Sequence, residues 1–488
     1  MNVLFVCRGA ELLGVEYLSS FLKRAGHRTE LLFDPALEDN LYFKNPFARE
    51  FRLNDKTMKR IERFNPDLIA ASALTGTYLK VRKLSMELKR RFGVPALIGG
   101  VHATALPEMA LNDGFDMVCR GEGEEALLEL VTKLEAGKGP GNTRNIWFKK
   151  GGKIVRNGLR PLIQDLDSLP MPDKDMFFRC GAFTDTLYVM TGRGCPFKCT
   201  YCFNHFYQKI YCGLGNYVRR RSVENVIEEI KLSQKKHNVR FVEFLDDTFT
   251  LDRGWVEKFC AEYGESVGIP FRILTHPATV NKKILTQLKL AGCRDIAIGV
   301  ESGDSKIRRK VLGRDTTNEQ ILKAGASVKN AGINLQLFVM FGVPDETPED
   351  MWKTVELVRR IRPKKVGASV FYPFPNTKLM EYARERGLIN AAASSENEAG
   401  GTGSNNQGSY YYESVINHPH RMDAENLKNL VPISNAFPFL HPLVKRVYRK
   451  DLGRAGEALG LVYVPFRNPD RAARKLGEYV NMWIASRR

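Results

Sequence analysis

The sequence predicts an α/β protein with an N-terminal doubly wound parallel sheet, then a partial (β/α)6 barrel, then a small helical C-terminal appendage. Three observations carry this expectation. Short apolar runs alternate with amphipathic stretches twice over, once up to residue 135 and again from residue 183. A chain of 488 residues exceeds what one compact core usually organises. A stretch almost free of large apolar side chains separates the second alternating unit from the tail. The expected boundaries are 1–135 for the first unit, 136–182 for a connector, 183–390 for the barrel, 391–412 for a flexible linker and 413–488 for the helical region.

The first unit opens with Val3–Cys7, an apolar run suited to a buried parallel strand. Val15 to Gly26 follows as a helix, with Leu18, Phe21, Leu22 and Ala25 on one face and glycine at its end. Thr29–Phe33, Asp67–Ala73, Val94–Gly100 and Met117–Cys119 read as further strands, with a helix over Tyr78–Phe92. Glycines, basic residues and the Leu169-Pro-Met-Pro172 run mark 136–182 as a crossing between domains. The barrel strands are expected at Leu187–Thr191, Phe241–Leu245, Phe271–Thr275, Asp295–Val300, Asn334–Phe341 and Val366–Tyr372. Six such repeats fit a partial barrel better than a second open sheet.

Composition narrows the function classes. The chain is 43% hydrophobic and 26% charged, as a globular protein is, and it has no apolar run long enough for a membrane span and no signal-peptide pattern, which points to the cytoplasm. Its nine cysteines are odd in number and only three are tightly grouped, so a disulfide framework is not expected. The formal charge of +19 admits nucleic acid, anionic lipid or a phosphorylated substrate, and equally a basic solvated surface.

Cys195-Pro-Phe-Lys-Cys199-Thr-Tyr-Cys202 is the most informative stretch. Three thiolates at CxxxCxxC spacing, after a strand and the Thr191-Gly-Arg-Gly194 turn, can meet one metal centre from a single loop. Three thiolates hold three irons of a four-iron cluster and leave the fourth open. A zinc site with a distant fourth ligand is the alternative, and His205 lies near enough in sequence to serve.

This motif resembles the signature of the radical S-adenosylmethionine (radical SAM) superfamily, with Tyr201 in its aromatic position. The resemblance implies that Cys195, Cys199 and Cys202 hold a [4Fe-4S] cluster whose free iron is chelated by SAM. It also implies reductive cleavage of SAM to a deoxyadenosyl radical, with the electron supplied by a donor such as flavodoxin or ferredoxin. Asp246 and Asp247, ending the second barrel strand, correspond to the family's contact with the SAM amine; an ordinary helix N-cap is the other reading. Glu301 and Ser302 end the fourth strand where the family contacts ribose or the amino-acid moiety. Phe341-Gly342-Val-Pro344 and Tyr372-Pro373-Phe-Pro375 resemble the turns that border the adenine.

Ligands of open α/β sheets bind outside the carboxyl ends of the strands. There the first unit offers Gly14, Ser72, Thr75-Gly76-Thr77, Gly99-Gly100, His102 and Gly121-Glu122-Gly123-Glu124. Together with the barrel motif this set resembles the cobalamin-binding radical SAM enzymes, and the likeness spans Met1 to about Gly387. The D-x-H-x-x-G motif that supplies a lower cobalt ligand in many cobalamin proteins is absent. The resemblance therefore implies cobalamin with neither its own base nor a protein histidine below the cobalt, and His102 is read as a loop contact rather than a ligand. A sheet that has lost its cofactor is the alternative.

Between Lys445 and Arg488 stand eleven Lys or Arg and four Asp or Glu. Such a basic region either rests on anionic membrane or packs on the barrel through its apolar side, and the second is preferred. The function implied is methylation of an unactivated carbon of a small-molecule or lipid-like substrate, through a deoxyadenosyl radical and methylcobalamin. The rivals are an oxidative cyclase or rearrangement enzyme with cobalamin in electron transfer, a methylthiotransferase-like enzyme on RNA, and a non-catalytic cobalamin or iron-sulfur sensor. The RNA reading is disfavoured because no second group of cysteines is present.

Overall fold

The computed structural model describes residues 1–36, 51, 53–182, 185–389 and 416–453. The expected linker at 391–412 and the basic tail beyond residue 453 lie outside the described residues.

The N-terminal sheet has seven strands in the order β2-β1-β3-β4-β5-β6-β7. They are β1 (Asn2–Arg8), β2 (Arg28–Asp34), β3 (Leu68–Ser72), β4 (Ala96–Gly99), β5 (Met117–Cys119), β6 (Ile146–Lys150) and β7 (Lys153–Arg156). The first five are parallel, as apolar runs buried on both faces require. Two separate cores, one on each face of the sheet, give the doubly wound arrangement. The stretch read as a crossing connector also builds sheet: the β6–β7 hairpin adds antiparallel to β5.

After a short strand β8 (Thr186–Val189) comes a two-residue ladder of β9 (Gly192–Arg193) with β10 (Arg219–Arg220). Then follow β11 (Phe241–Phe244), β12 (Phe271–Thr275), β13 (Cys293–Glu301), β14 (Asn334–Phe341) and β15 (Lys365–Val370). Strands β8 and β11 to β15 pair in sequence order and all in parallel, the six-stranded open barrel expected from the βα repeats. Leu187, Val242, Ile273, Ile298, Leu337 and Val366 face the surrounding helices. The opposite face carries buried polar groups bonded across strands, including Arg272 with Glu243 and with Gln336 at 3.1 Å. The barrel is therefore oily outside its strands and polar within.

The described part of the C-terminal region packs on the barrel. Helix Arg421–Ala436 sends Ala424, Leu427, Leu430 and Val431 into the barrel core beside β14 and β15. Among the described residues no helix is long and apolar enough to cross a membrane.

Candidate functional site

The cysteine loop leaves the carboxyl end of β8 and ends at helix Phe203–Ile210. Its root is fixed by the buried Asp246, which accepts from the Thr191 backbone N–H at 3.0 Å and from its hydroxyl at 2.6 Å. Cys195 and Cys199 are buried and Cys202 half-buried. Each sulfur has a polar side chain beside it. Thr248 Oγ1 lies 3.8 Å from Cys195 Sγ, Arg314 Nη1 3.7 Å from Cys199 Sγ, and Asn204 Nδ2 3.6 Å from Cys202 Sγ. Burial pushes the Cys195 thiol up and the Cys202 thiol up to about 12, so both hold their protons until a metal displaces them. Hydrogen-bonding groups aimed at the sulfurs are what a metal-thiolate centre uses to orient and tune its ligands, so the residues fit an iron-sulfur cluster. Among the described residues no three His, Cys, Asp or Glu side chains come close enough to share a single ion.

The barrel mouth brings most of the expected SAM residues together. Tyr201 accepts from Arg314 Nη1 at 3.2 Å, and Arg314 Nη2 donates to the Gly299 carbonyl at 2.7 Å. Glu301 stands at a register shift in β13 with a left-handed φ of 66°, a strained conformation for a residue with a Cβ. Burial raises its carboxyl, and Arg314 and Tyr201 partly offset that. Ser302 is buried, with its hydroxyl 3.5 Å from Glu346, and Glu346 also accepts from the Gly342 and Val343 N–H groups at 2.8 and 3.2 Å. One carboxyl thus ties the loops after β13 and β14. Pro344 and Pro373 are buried at the ends of β14 and β15. The paired aspartates part company: Asp246 is committed to Thr191, while Asp247, partly exposed, accepts from Asn204 just after the cysteines. His276, at the end of β12, stacks on Phe197 of the cysteine loop at 3.8 Å, and burial lowers it to about 3, so it is neutral.

The carboxyl ends of β1, β3 and β4 form the second candidate site. Gly100, at φ 93°, lies so close to β3 that a Cβ there would sit 2.7 Å from the Ala73 carbonyl. Ser72 ends β3, Gly14 is exposed in the first turn of helix Leu13–Arg24, and Gly76, Thr77 and Gly99 are half-buried. Thr75 is buried with its hydroxyl unpartnered, and His102 is buried with neither ring nitrogen bonded to protein, its ring 4.3 Å from Tyr78. Burial lowers His102 to about 4, so the ring is neutral. Buried polar atoms are rarely left alone, and these orphans at the carboxyl ends of β3 and β4 fit a crevice that would hold a polar cofactor. Leu74, 39% exposed beside them, offers an apolar contact.

Glu122 is placed differently from its expected companions. Its carboxylate accepts from Arg193 at 3.0 Å, from Arg219 at 3.1 Å and from the Ile163 N–H at 3.1 Å. This loop therefore joins the two domains instead of offering its carboxylate to the crevice. Arg193, two residues before Cys195, also reaches Glu124 at 2.6 Å. The Glu122 N–H donates to the Tyr211 hydroxyl at 2.8 Å, where Tyr211 follows the helix after the cysteines. Asn376, beyond β15, donates to the Ala105 carbonyl at 2.5 Å. The carboxyl ends of both sheets accordingly meet at one interface, with the cysteine loop between them.

Residues 10–131 match the B12 binding domain and residues 189–358 the radical SAM superfamily. The chain belongs to the cobalamin-binding radical SAM enzymes. Its cofactors are a [4Fe-4S] cluster, SAM and cobalamin. Among curated relatives, an uncharacterised methyltransferase of Pyrococcus horikoshii is 29% identical over 386 residues, 77% of this chain and 79% of that one. The anaerobic magnesium-protoporphyrin IX monomethyl ester cyclase of Rubrivivax gelatinosus is 25% identical over 411 residues, 78% of this chain and 70% of that one. The fold is shared with the radical SAM methyltransferase TsrM from Kitasatospora setae, at a TM-score of 0.63 and 18% identity, covering 79% of this chain and 76% of that one. It is shared also with the cobalamin-dependent radical SAM enzyme OxsB, at 0.67 and 17%, covering 99% of this chain and 75% of that one.

Sequence reasoning missed the groups around the sulfurs and across the interface. Asn204 and Thr248 stand beside quoted motifs and could have been flagged by proximity. Arg314, Glu346, Arg219 and Tyr211 carry no motif, and only the fold brings them to the site.

Proposed function

We propose that this cobalamin-binding radical SAM enzyme is a methyltransferase acting on an unactivated carbon of a small molecule. The observation that carries this reading is the shared interface, where Arg193 of the cysteine loop grips Glu122 and Glu124 of the B12 domain. When bound, the cluster with SAM supplies a deoxyadenosyl radical for hydrogen abstraction and cobalamin supplies the methyl group.

The chain's own residues bind, orient and shield. Cys195, Cys199 and Cys202 ligate the cluster, and Thr248, Arg314 and Asn204 orient the sulfurs. Asp247 accepts from the SAM amine, while Glu301, Ser302, Gly342, Pro344 and Pro373 shape the adenosyl pocket beside Tyr201. Gly14, Ser72, Thr75, Gly76, Thr77, Gly99, Gly100 and His102 line the corrin crevice. The largely enclosed Glu122–Arg193–Arg219 group closes the domain interface beside the cysteine loop, which limits water where a radical would form. Reduction of the cluster calls for a low-potential carrier such as flavodoxin or ferredoxin, and the free thiols suit a reducing cytoplasm.

The test is anaerobic, with full-length enzyme loaded with iron, sulfide and cobalamin, then given dithionite and methyl-labelled SAM. A methyltransferase forms both S-adenosylhomocysteine and 5′-deoxyadenosine. Deoxyadenosine alone favours oxidative cyclisation, the activity named for the Rubrivivax relative, and formation of neither product overturns both readings.

A further inference from the structure

The end of the barrel opposite the mouth carries a surface that the proposed chemistry does not use. Helix Arg421–Ala436 and helix His441–Val447 are joined by the short turn Pro438–Leu440. At that turn Phe437 is 43% exposed, Phe439 76% and Leu443 54%. Large apolar side chains grouped at a proline-stiffened tip are costly in water. The tip is also held firmly. Asn435 donates to the Pro363 carbonyl at 3.0 Å, His441 lies 3.0 Å from Glu356, and Tyr448 stacks on Trp352 at 5.2 Å.

Those fastenings define where the tip points. Pro363 lies in the loop that enters β15, so the tip sits at the amino end of the barrel strands, away from the cysteine loop at the carboxyl end. This loop and the helix end before it are basic: Arg360, Arg362 and Lys364 are all exposed. On the hairpin itself Lys445 and Arg446 are exposed two and three residues beyond Leu443, with Lys445 over the Trp352 ring. From Asn426 to Lys450 the sequence contains no Asp or Glu. Leu290, 81% exposed, ends the helix that leads into β13 and so lies at this same end.

We infer that this end of the barrel docks on an anionic lipid bilayer, with Phe437, Phe439 and Leu443 entering the headgroup region and the surrounding Arg and Lys side chains facing lipid phosphates. Aromatic rings flanked by basic side chains suit the bilayer boundary, where rings are taken out of water and cations stay at the anionic surface. Charge alone would serve nucleic acid equally well; the exposed phenylalanines and leucine grouped on a stiff turn favour lipid. Docked this way, the N-terminal domain and the outer edge of the domain interface point away from the bilayer, within reach of an electron carrier. The inference stands whether or not the enzyme is a methyltransferase.

The experiment is flotation of the anaerobic holoenzyme with vesicles of phosphatidylcholine alone and of phosphatidylcholine with phosphatidylglycerol. Binding is expected only to the anionic vesicles, and weaker as salt rises. The variant Phe439→Ser/Leu443→Ser should bind about tenfold more weakly, with iron content and thermal unfolding unchanged because these are the most exposed side chains of the tip. Arg360→Glu/Arg362→Glu should weaken binding while leaving the rings in place. Failure to bind anionic vesicles would overturn the inference. So would equal binding by the serine variant, which would assign the affinity to charge elsewhere in the chain.

Discussion

Arg314 lies with one guanidinium nitrogen 3.7 Å from the Cys199 sulfur and another 2.7 Å from the Gly299 carbonyl, which fixes a positive charge against a proposed cluster ligand. Burial opposes that charge, but Tyr201, Glu301 and the thiol more than restore it, so the group stays protonated. A cation and hydrogen-bond donor at a cluster sulfur favours the reduced state. Arg314→Met should therefore lower the cluster midpoint potential, on the order of 60–120 mV if the contact is worth a charge-assisted hydrogen bond of about 1.5–3 kcal/mol. Iron content should be unchanged, and Arg314→Lys should shift the potential less. A redox titration followed by electron paramagnetic resonance measures both.

Gly100 presses on β3 more closely than any residue with a Cβ allows. Gly100→Ala meets the Ala73 carbonyl at 2.7 Å in a left-handed backbone, and should cost about 2–3 kcal/mol and reduce bound cobalt. Gly76→Ala, where a Cβ meets nothing within 4 Å, should leave apo stability within about 0.5 kcal/mol. Thermal unfolding and cobalt content of paired samples check this, and an equal loss in both variants would refute the steric account.

The contrast between Cys199 and its neighbour Arg314 shows what a sequence makes legible. The cysteines are fixed by local spacing and by their place after β8, and the strands are fixed by apolar runs, so both could be read directly. The six barrel strands stand within two residues of their expected ends because buried parallel strands leave a continuous apolar signal. Arg314 reaches Cys199 across 115 positions, and Glu122 reaches Arg219 across 97; no periodicity encodes such pairs. Gly121-Glu122-Gly123 looks like a ligand-cradling loop on local pattern alone. Its partners decide otherwise, and they become neighbours only when the two sheets face each other.

Glu122 offers the most direct test of that interface. Burial pushes its carboxyl up, but Arg193 and Arg219 outweigh burial and hold it below the ordinary carboxylate range. Glu122→Gln leaves two guanidinium groups short of their partner. It should cost about 2–4 kcal/mol, below the range for fully buried pairs because Glu122 and Arg193 remain 17% and 19% exposed. Since the folded-state value is depressed, the stabilisation is present at neutral pH and is lost as pH falls below about 4 through that value. The gap between wild type and variant in urea midpoint should accordingly narrow in acid, and a gap independent of pH would argue against an ionic clamp.

Glu346 has the opposite sign. Fully enclosed, it is raised to about 8 by burial, despite accepting from the Gly342 and Val343 N–H groups. The folded protein thus holds a proton that the unfolded chain releases near pH 4.3, so stability falls as pH rises between about 4.3 and 8. Glu346→Gln supplies a neutral acceptor to the same N–H groups and removes the titration. Wild type should lose stability between pH 6 and pH 8.5 by more than the variant does, measured as urea midpoints. SAM affinity should follow the same pattern if, as proposed, the Ser302 and Gly342 loops that Glu346 joins shape the adenosyl pocket. If the variant kept the wild-type slope, the carboxyl would be ionised in the folded protein and the two loops would be held by charge rather than by a shared proton.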